Sequence, residues 1–272
     1  MFEKEKIVRS SEFYATPLYL EGLDYFESMA NEARLLNTII YSKIIKKTDT
    51  VLLKKKLDVL DIGVSTGRMT ENFVRGIRNL TKCRMEYDIV EPNMTFINNT
   101  KSRLISYDLD THIINKTLQN AVEEGNLRKY DIILASHCFY HIQSEYINSL
   151  IFSLNKNGFL LVILSSNDSS TQKILQHERN NISITVGDLL SKVHSSFCGK
   201  LTNISWKIYN VTSFIALPDD AKSRKALFSF LFNRAIGDIE LSDSHETLKL
   251  INSLLIDSKL LLKYNILCIK RK

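Results

Sequence analysis

Apolar positions along the chain fall into short continuous runs separated by stretches of helical period. Leu57 to Asp61, Met85 to Val90, Tyr130 to Ala135 and Phe159 to Leu164 have the length and content of strands, with a shorter one at His112 to Asn115. Between them, Arg68 to about Leu80, Met94 to about Ser106 and Ser144 to Leu154 place apolar side chains at the spacing of a helix face. Asn155-Lys156-Asn157-Gly158 reads as the turn that leads into Phe159. Alternation of this kind predicts a mostly parallel sheet with helices on both faces.

The flanks have a different texture. Leu18 to Lys46 reads as a helical preface, with Tyr19, Leu23, Tyr25, Phe26, Met29, Leu35, Leu36, Ile39 and Ile40 as its apolar face. Glu32 lies among those side chains, so its carboxylate is either a solvated helix residue or an acceptor set over a site. In the last third, Thr185-Val186-Gly187-Asp188 has the form of a helix start with an acidic third position, opening a helix to about Phe197. Ile204 to Phe214 reads as a strand, Ala221 to Ala235 and Ser244 to Ile256 as amphipathic helices, and Leu262 to Ile269 as the last strand.

The first strand carries the chemistry. It stops at Asp61, and Asp61-Ile62-Gly63-Val64-Ser65-Thr66-Gly67 then hands over to the helix from Arg68, the arrangement by which a strand-turn-helix unit receives a nucleoside cofactor. Gly63 lets the main chain approach a ligand, and Gly67 sits where the next helix packs closely on the strand. Glu91, at the tip of the neighbouring strand before Pro92, can accept hydrogen bonds from both ribose hydroxyls. Ser65 stands where a dinucleotide turn has its middle glycine, which disfavours a bulky pyrophosphate and favours a cofactor without phosphate.

With Glu91 as the ribose-binding acid, this turn resembles motif I of the Rossmann-like S-adenosylmethionine (SAM) methyltransferases. The resemblance implies an α/β fold, a seven-stranded mostly parallel sheet with helices on both faces, and SAM as cofactor. It implies one methyltransferase domain over residues 1–272: a helical N-terminal lid (1–50), a SAM-binding core (51–200), and C-terminal strands whose helical insertion covers the substrate (201–272). Asp61, Gly63, Ser65, Gly67 and Glu91 fall at its cofactor positions. Leu118 and Gln119 fall near the adenine, mainly through their backbone, and Ser136, ending the fourth strand, falls by the methionine part of SAM.

A narrower likeness is to histamine N-methyltransferase and its relatives. It runs through Val90-Glu91-Pro92, Tyr130 to Ile142, Ser165-Ser166, Ile184 to Leu189 and Asn265 to Cys268. It implies three substrate contacts, at Glu32, His137 and Asn265, and methylation of a small amine or imidazole nitrogen. His137 stands where that enzyme has glutamine, which puts histamine itself in question and leaves another small polar amine as acceptor. The reaction so implied is in-line displacement at the sulfonium methyl, in which alignment of the reactants supplies roughly 7 to 11 kcal/mol. Glu32 then holds the amine, and His137 orients it or relays its proton; a hydrogen-bonded histidine without a catalytic part is the competing reading.

Composition narrows the alternatives. The 272 residues are 44% hydrophobic, enough for a sizeable core, and no apolar run approaches the roughly 20 residues of a membrane span. With no secretory pattern at Met1 to Lys6, the cytoplasm is the expected location. The formal charge of +6 raises a nucleic-acid partner, but Lys46-Lys47, Lys54-Lys55-Lys56 and Lys270-Arg271-Lys272 lack interleaved aromatics and read as solvated surface. The D/N-P-P-Y/F motif that amino-methylating nucleic-acid enzymes resemble is replaced by Ser136-His137-Cys138-Phe139. Cys83, Cys138, Cys198 and Cys268 form no C-x-x-C pair, and His137 with His141 is the sole histidine spacing that suits one helix face, so no metal is expected. A peptide amino terminus, another natural product, or SAM binding without catalysis remain as alternatives to the small amine.

Overall fold

The computed structural model describes residues 16–47, 53–140, 142–179, 184–196, 203–232 and 245–272. Thr16 caps the first helix by accepting from the Tyr19 N–H, and Pro17 occupies the first turn, where a missing N–H costs nothing. That helix, α1 (Pro17–Met29), ends before Asn31, whose φ of 52° is left-handed. The helical preface is therefore built of two helices. The second, α2 (Glu32–Ile39), runs on into a π turn (Ile40–Ile44) and a short tight turn (Ile45–Lys47).

Next come β1 (Lys56–Ile62), α3 (Arg68–Leu80), β2 (Arg84–Val90), α4 (Met94–Leu104), β3 (Asp110–Ile114) and α5 (Leu118–Glu123). They are followed by β4 (Tyr130–Ser136), α6 (Tyr146–Phe152), β5 (Leu154–Ser165), α7 (Ser170–Arg179) and α8 (Val186–Ser196). The chain continues with β6 (Ile204–Ala216), α9 (Ala221–Phe232), α10 (Glu246–Ser253), β7 (Leu255–Ile256) and β8 (Lys259–Arg271). The start of α8 is the capping box expected there: the Asp188 carboxylate accepts from the Thr185 N–H (2.7 Å), and the Thr185 hydroxyl accepts from the Asp188 N–H (3.1 Å). Phe197, Ala235 and Ser244, where expected helices begin or end, lie outside the described residues, as do Cys198 and His141.

The strands run in the order β3-β2-β1-β4-β5-β8-β6, and β7 pairs with β8, making eight. The expected seven stand in one row, and the extra strand has two residues. Pairings β1–β2, β1–β4, β2–β3 and β4–β5 are parallel. Their register sets Ile62 beside Val90 and Ala135, and Val90 beside Ile114. Gly63, Glu91, Asn115 and Ser136, at or just beyond these positions, therefore share the carboxyl edge of the sheet, where open α/β sheets hold their ligands.

The turn expected at Asn155 to Gly158 is instead a bulge within β5. Tyr130 pairs with Leu154 while Ile132 pairs with Phe159, so the extra residues of β5 bow out of the ladder. Asn157 takes a φ of 65° there, and a Cβ on Gly158 would stand 2.9 Å from the Tyr130 carbonyl oxygen. Close packing of strands overrode the local turn signal.

The chain forms two compact units. One comprises residues 33–164, 184–211 and 264–272, and the other residues 1–32, 165–183 and 212–263. In the first, Leu60, Ile62, Tyr130, Ile133, Phe139, Leu160 and Val162 belong to one buried cluster, each such side chain contributing about 1.5 to 3 kcal/mol. Tyr41, in the π turn, stacks on Phe73 and donates its hydroxyl to the Phe73 carbonyl, occupying space that a Cβ on Gly76 would fill. In the second unit α1 packs on α9, with Phe26 and Tyr19 at 5.0 and 5.4 Å from the Phe230 ring.

Candidate functional site

The cofactor turn is built from alternating left-handed residues: Gly63 at φ 69°, Ser65 at 52° and Gly67 at 80°. Ser65 thus keeps the backbone of the glycine it replaces, at a steric cost that a side-chain-bearing residue bears at functional sites more than elsewhere. Neither glycine could carry a Cβ. At Gly63 it would lie 2.7 Å from the Cys138 Cβ, and at Gly67 it would lie 2.7 Å from the Thr100 Oγ1 and 2.8 Å from its Cα. Gly67 therefore packs on α4, and Gly63 brings the segment after β4 against the turn.

Two buried carboxylates lie beside this turn. Asp61 is 2% exposed, and its Oδ2 accepts from the Thr70 hydroxyl (2.7 Å) and the Tyr87 hydroxyl (2.8 Å). It therefore ties the first turn of α3 to β1 and β2. Burial pushes it up to about 6, against the pull of those donors. Glu91 is 5% exposed and accepts from the Asn93 N–H at 2.9 Å, and the N–H groups of Ser65 and Val64 also favour its charged form. Burial, with the Asp61 charge adding to it, pushes Glu91 up to about 7. Asn115 fixes the tip of β2 by donating to the carbonyls of Glu91 and Pro92, each at 3.0 Å.

These groups suit SAM: carboxylates beneath the turn attract a sulfonium, and a carboxylate holding these N–H donors keeps lone pairs for a ribose diol. Glu91 and the main chain of Gly63, Ser65 and Gly67 are the groups that would hold the adenosine, and SAM supplies an already activated methyl. Leu118 is buried in the core, so its backbone is the part that can meet an adenine, whereas Gln119 is exposed and bonds Glu123 within α5 (2.9 Å).

His137 follows β4 with a φ of 54°, its N–H donating to the Ile163 carbonyl at 2.9 Å. Its ring meets the edge of Tyr264 at 5.4 Å and lies near-parallel to Tyr140 at 6.3 Å. A histidine held left-handed one residue from Cys138, and so from the cofactor turn, is the kind of backbone outlier that marks functional sites. Asn265 follows Tyr264 on β8 and is half-buried, as is Ser136. Glu32 opens α2, belongs to the other unit, and is half-buried. Sequence reasoning missed Thr70, Tyr87, Asn93, Asn115, Cys138 and Tyr264; only Asn93 and Asn115 carry a local signal, as amides just past strand ends. Among the described residues, no group of three or more His, Cys, Asp or Glu could hold a metal ion, and no helix is long and apolar enough to cross a membrane.

Comparison with known proteins agrees with the fold and the cofactor class. The plantazolicin methyltransferase BpumL in complex with S-adenosylhomocysteine (SAH) shares the fold at 14% identity and a TM-score of 0.56, each chain covered in full. Its complex with a triazolic desmethylPZN analog and SAH gives 15% identity and a TM-score of 0.51, over 99% of this chain and 92% of that one. A candidate sarcosine dimethylglycine methyltransferase from Galdieria sulphuraria matches at 14% identity and a TM-score of 0.53, over 86% and 84% of the two chains. No curated protein matches by sequence. Residues 24–200 match the family described as AdoMet dependent proline di-methyltransferase. The chain belongs to that family: it is a SAM-dependent methyltransferase of Rossmann-like fold.

Proposed function

We propose that the methyl acceptor is an amine nitrogen, methylated over the carboxyl edge of the sheet. The observation that carries this reading is His137, a ring braced by Tyr264 and Tyr140 on a left-handed backbone beside the cofactor turn. An amine attacks as its free base, so a nitrogen donor or acceptor held in place there can orient it and take up its proton. Glu32 and Asn265 complete the acceptor contacts, on the likeness to histamine N-methyltransferase. On this reading residues 1–272 act as one methyltransferase domain, with Ser136 at the methionine part of SAM and Leu118 and Gln119 near the adenine.

A second reading narrows the acceptor to the α-amino nitrogen of a peptide that begins with proline. The family's own description favours it. Both readings meet in one experiment. SAH release is followed with a panel of biogenic amines and with short peptides that start with proline or with acetylated proline. Turnover with the free amino terminus but not the acetylated one assigns the peptide; turnover with the small amines assigns the first reading. Glu32→Gln is expected to lower kcat/KM while leaving SAH affinity unchanged. Turnover on oxygen or carbon acceptors alone would overturn both.

A further inference from the structure

Several cations along the amino-terminal edge of the sheet, beside β1, β2 and β4, are matched by carboxylates: Lys56 by Glu86 (2.7 Å), Arg84 by Asp110 (2.9 Å), Arg128 by both oxygens of Asp88 (2.8 and 2.9 Å), and Lys54 by the buried Asp131. Further along, where β4 and β5 begin and β8 ends, a cavity of about 510 Å³ is lined by Lys129, Lys156, Arg271, Lys272, Asn155 and Asn203, with no Asp or Glu among the described lining residues.

Two of these cations are held in place. Arg271 Nη1 donates to the carbonyls of Leu154 (2.7 Å) and Phe152 (3.3 Å), and Lys129 donates to the same Phe152 oxygen. Phe152 is the last residue of α6, so the negative end of the helix anchors both. Anchoring leaves most of their donors over, since a guanidinium carries five N–H groups and an ammonium three. It also sets two like charges around one oxygen, a repulsion that a multivalent anion would relieve. Asn155 is fixed too, its amide donating to Asp131 at 2.8 Å.

We propose that this cavity is a binding site for a phosphoryl group, free or carried by a small molecule. Four lining cations, with no Asp or Glu facing them among the described residues, call for an anion of more than one charge, and the Arg271 fork suits tetrahedral oxygens in pairs. No aromatic side chain stands among the described lining residues, so they offer no stacking platform of the kind single-stranded nucleic acid uses. The site lies at the edge of the sheet opposite to Gly63 and Glu91, so it is separate from the SAM site and does not depend on the identity of the acceptor.

The test is calorimetric titration of the full chain at fixed ionic strength with pyrophosphate and, separately, ADP. Wild type, Lys156→Gln, Arg271→Gln and the control Lys101→Gln on α4 are compared, with SAH affinity measured on each. Saturable binding is expected, weakened roughly fivefold or more by Lys156→Gln and further by Arg271→Gln, with Lys101→Gln and SAH affinity unaffected. Lys156 is exposed, so its variant folds even where Arg271→Gln does not. ADP binding with the same sensitivity assigns a carried phosphoryl group, and pyrophosphate alone assigns the free ion. No saturable heat, equal loss in Lys101→Gln, or binding of a single-stranded oligonucleotide in place of both ligands would overturn the proposal.

Discussion

The charge state of Glu91 makes SAM-site occupancy depend on pH in a direction that can be worked out. Its carboxyl is pushed up to about 7 by burial, against about 4.5 for an exposed glutamate, so the free protein is half-protonated near neutrality. Ribose hydroxyls donate best to the ionised form, so binding releases a proton wherever Glu91 still holds one. At about pH 6 only about a tenth of the free protein then carries the charge, and SAH affinity falls roughly tenfold from its value at about pH 8, or about 1.4 kcal/mol. Calorimetric titration with SAH at about pH 6, 7 and 8, in two buffers of different ionisation heat, reads both the slope and the proton release. Glu91→Gln should bind weakly with a flat profile. Asp61→Asn should keep the slope but move its midpoint down, because the Asp61 charge is one of the causes that raise Glu91. A flat profile in wild type, or the same slope in Glu91→Gln, would falsify this account.

The same acids govern the stability of the free protein. Both have folded pKa values above their unfolded ones, so the folded state holds more protons over the window from about 4 to about 7, and stability is full below it and falls as pH rises through it. Glu91 alone accounts for about 3 kcal/mol of that fall, measured by urea unfolding at about pH 5 and 8, and Glu91→Gln should remove most of it. Gly67→Ala adds a Cβ against Thr100 at a left-handed position, whereas Gly125→Ala, at φ 69° with nothing within 4 Å, isolates the backbone strain. Losses of about 3 and about 1 kcal/mol are expected, and equal losses would remove the α4 contact from the argument. His137→Asn keeps a residue type that tolerates left-handed backbone, so melting should change little while kcat/KM falls at least about tenfold; retained turnover would make the ring dispensable.

The parts of this protein legible in the sequence are those set by near neighbours. The run from Leu57 to Asp61, which the structure extends by one residue at each end, the glycines at 63 and 67, the helix Arg68–Leu80 and the Thr185–Asp188 cap each follow from the period, propensity or capping of a few consecutive residues. Ser65 in place of a middle glycine, with Glu91 at the next strand's tip, carried the resemblance that gave the cofactor class. Helices α5 and α7 escaped notice because one is six residues long and the other starts in Ser169-Ser170-Thr171, whose hydroxyls read as loop.

What the chain kept hidden depends on partners distant along it. Asn31 breaks a continuous apolar pattern, and Gly158 sits in a bulge and not a turn because β4 carbonyls crowd it. Glu91 owes its proton affinity to burial, to Asp61 thirty residues earlier, and to donors at Val64, Ser65 and Asn93 that no local window brings together. Tyr264 braces His137 from more than a hundred residues away. Sequence alone determined the strand-turn-helix unit, since backbone sterics and side-chain period act locally, and the cofactor class followed from the resemblance that unit carries. Only the tertiary structure decided which carboxylates are buried, which ring orients His137, and which cations gather around one cavity, since desolvation and Coulomb energy depend on distance in space.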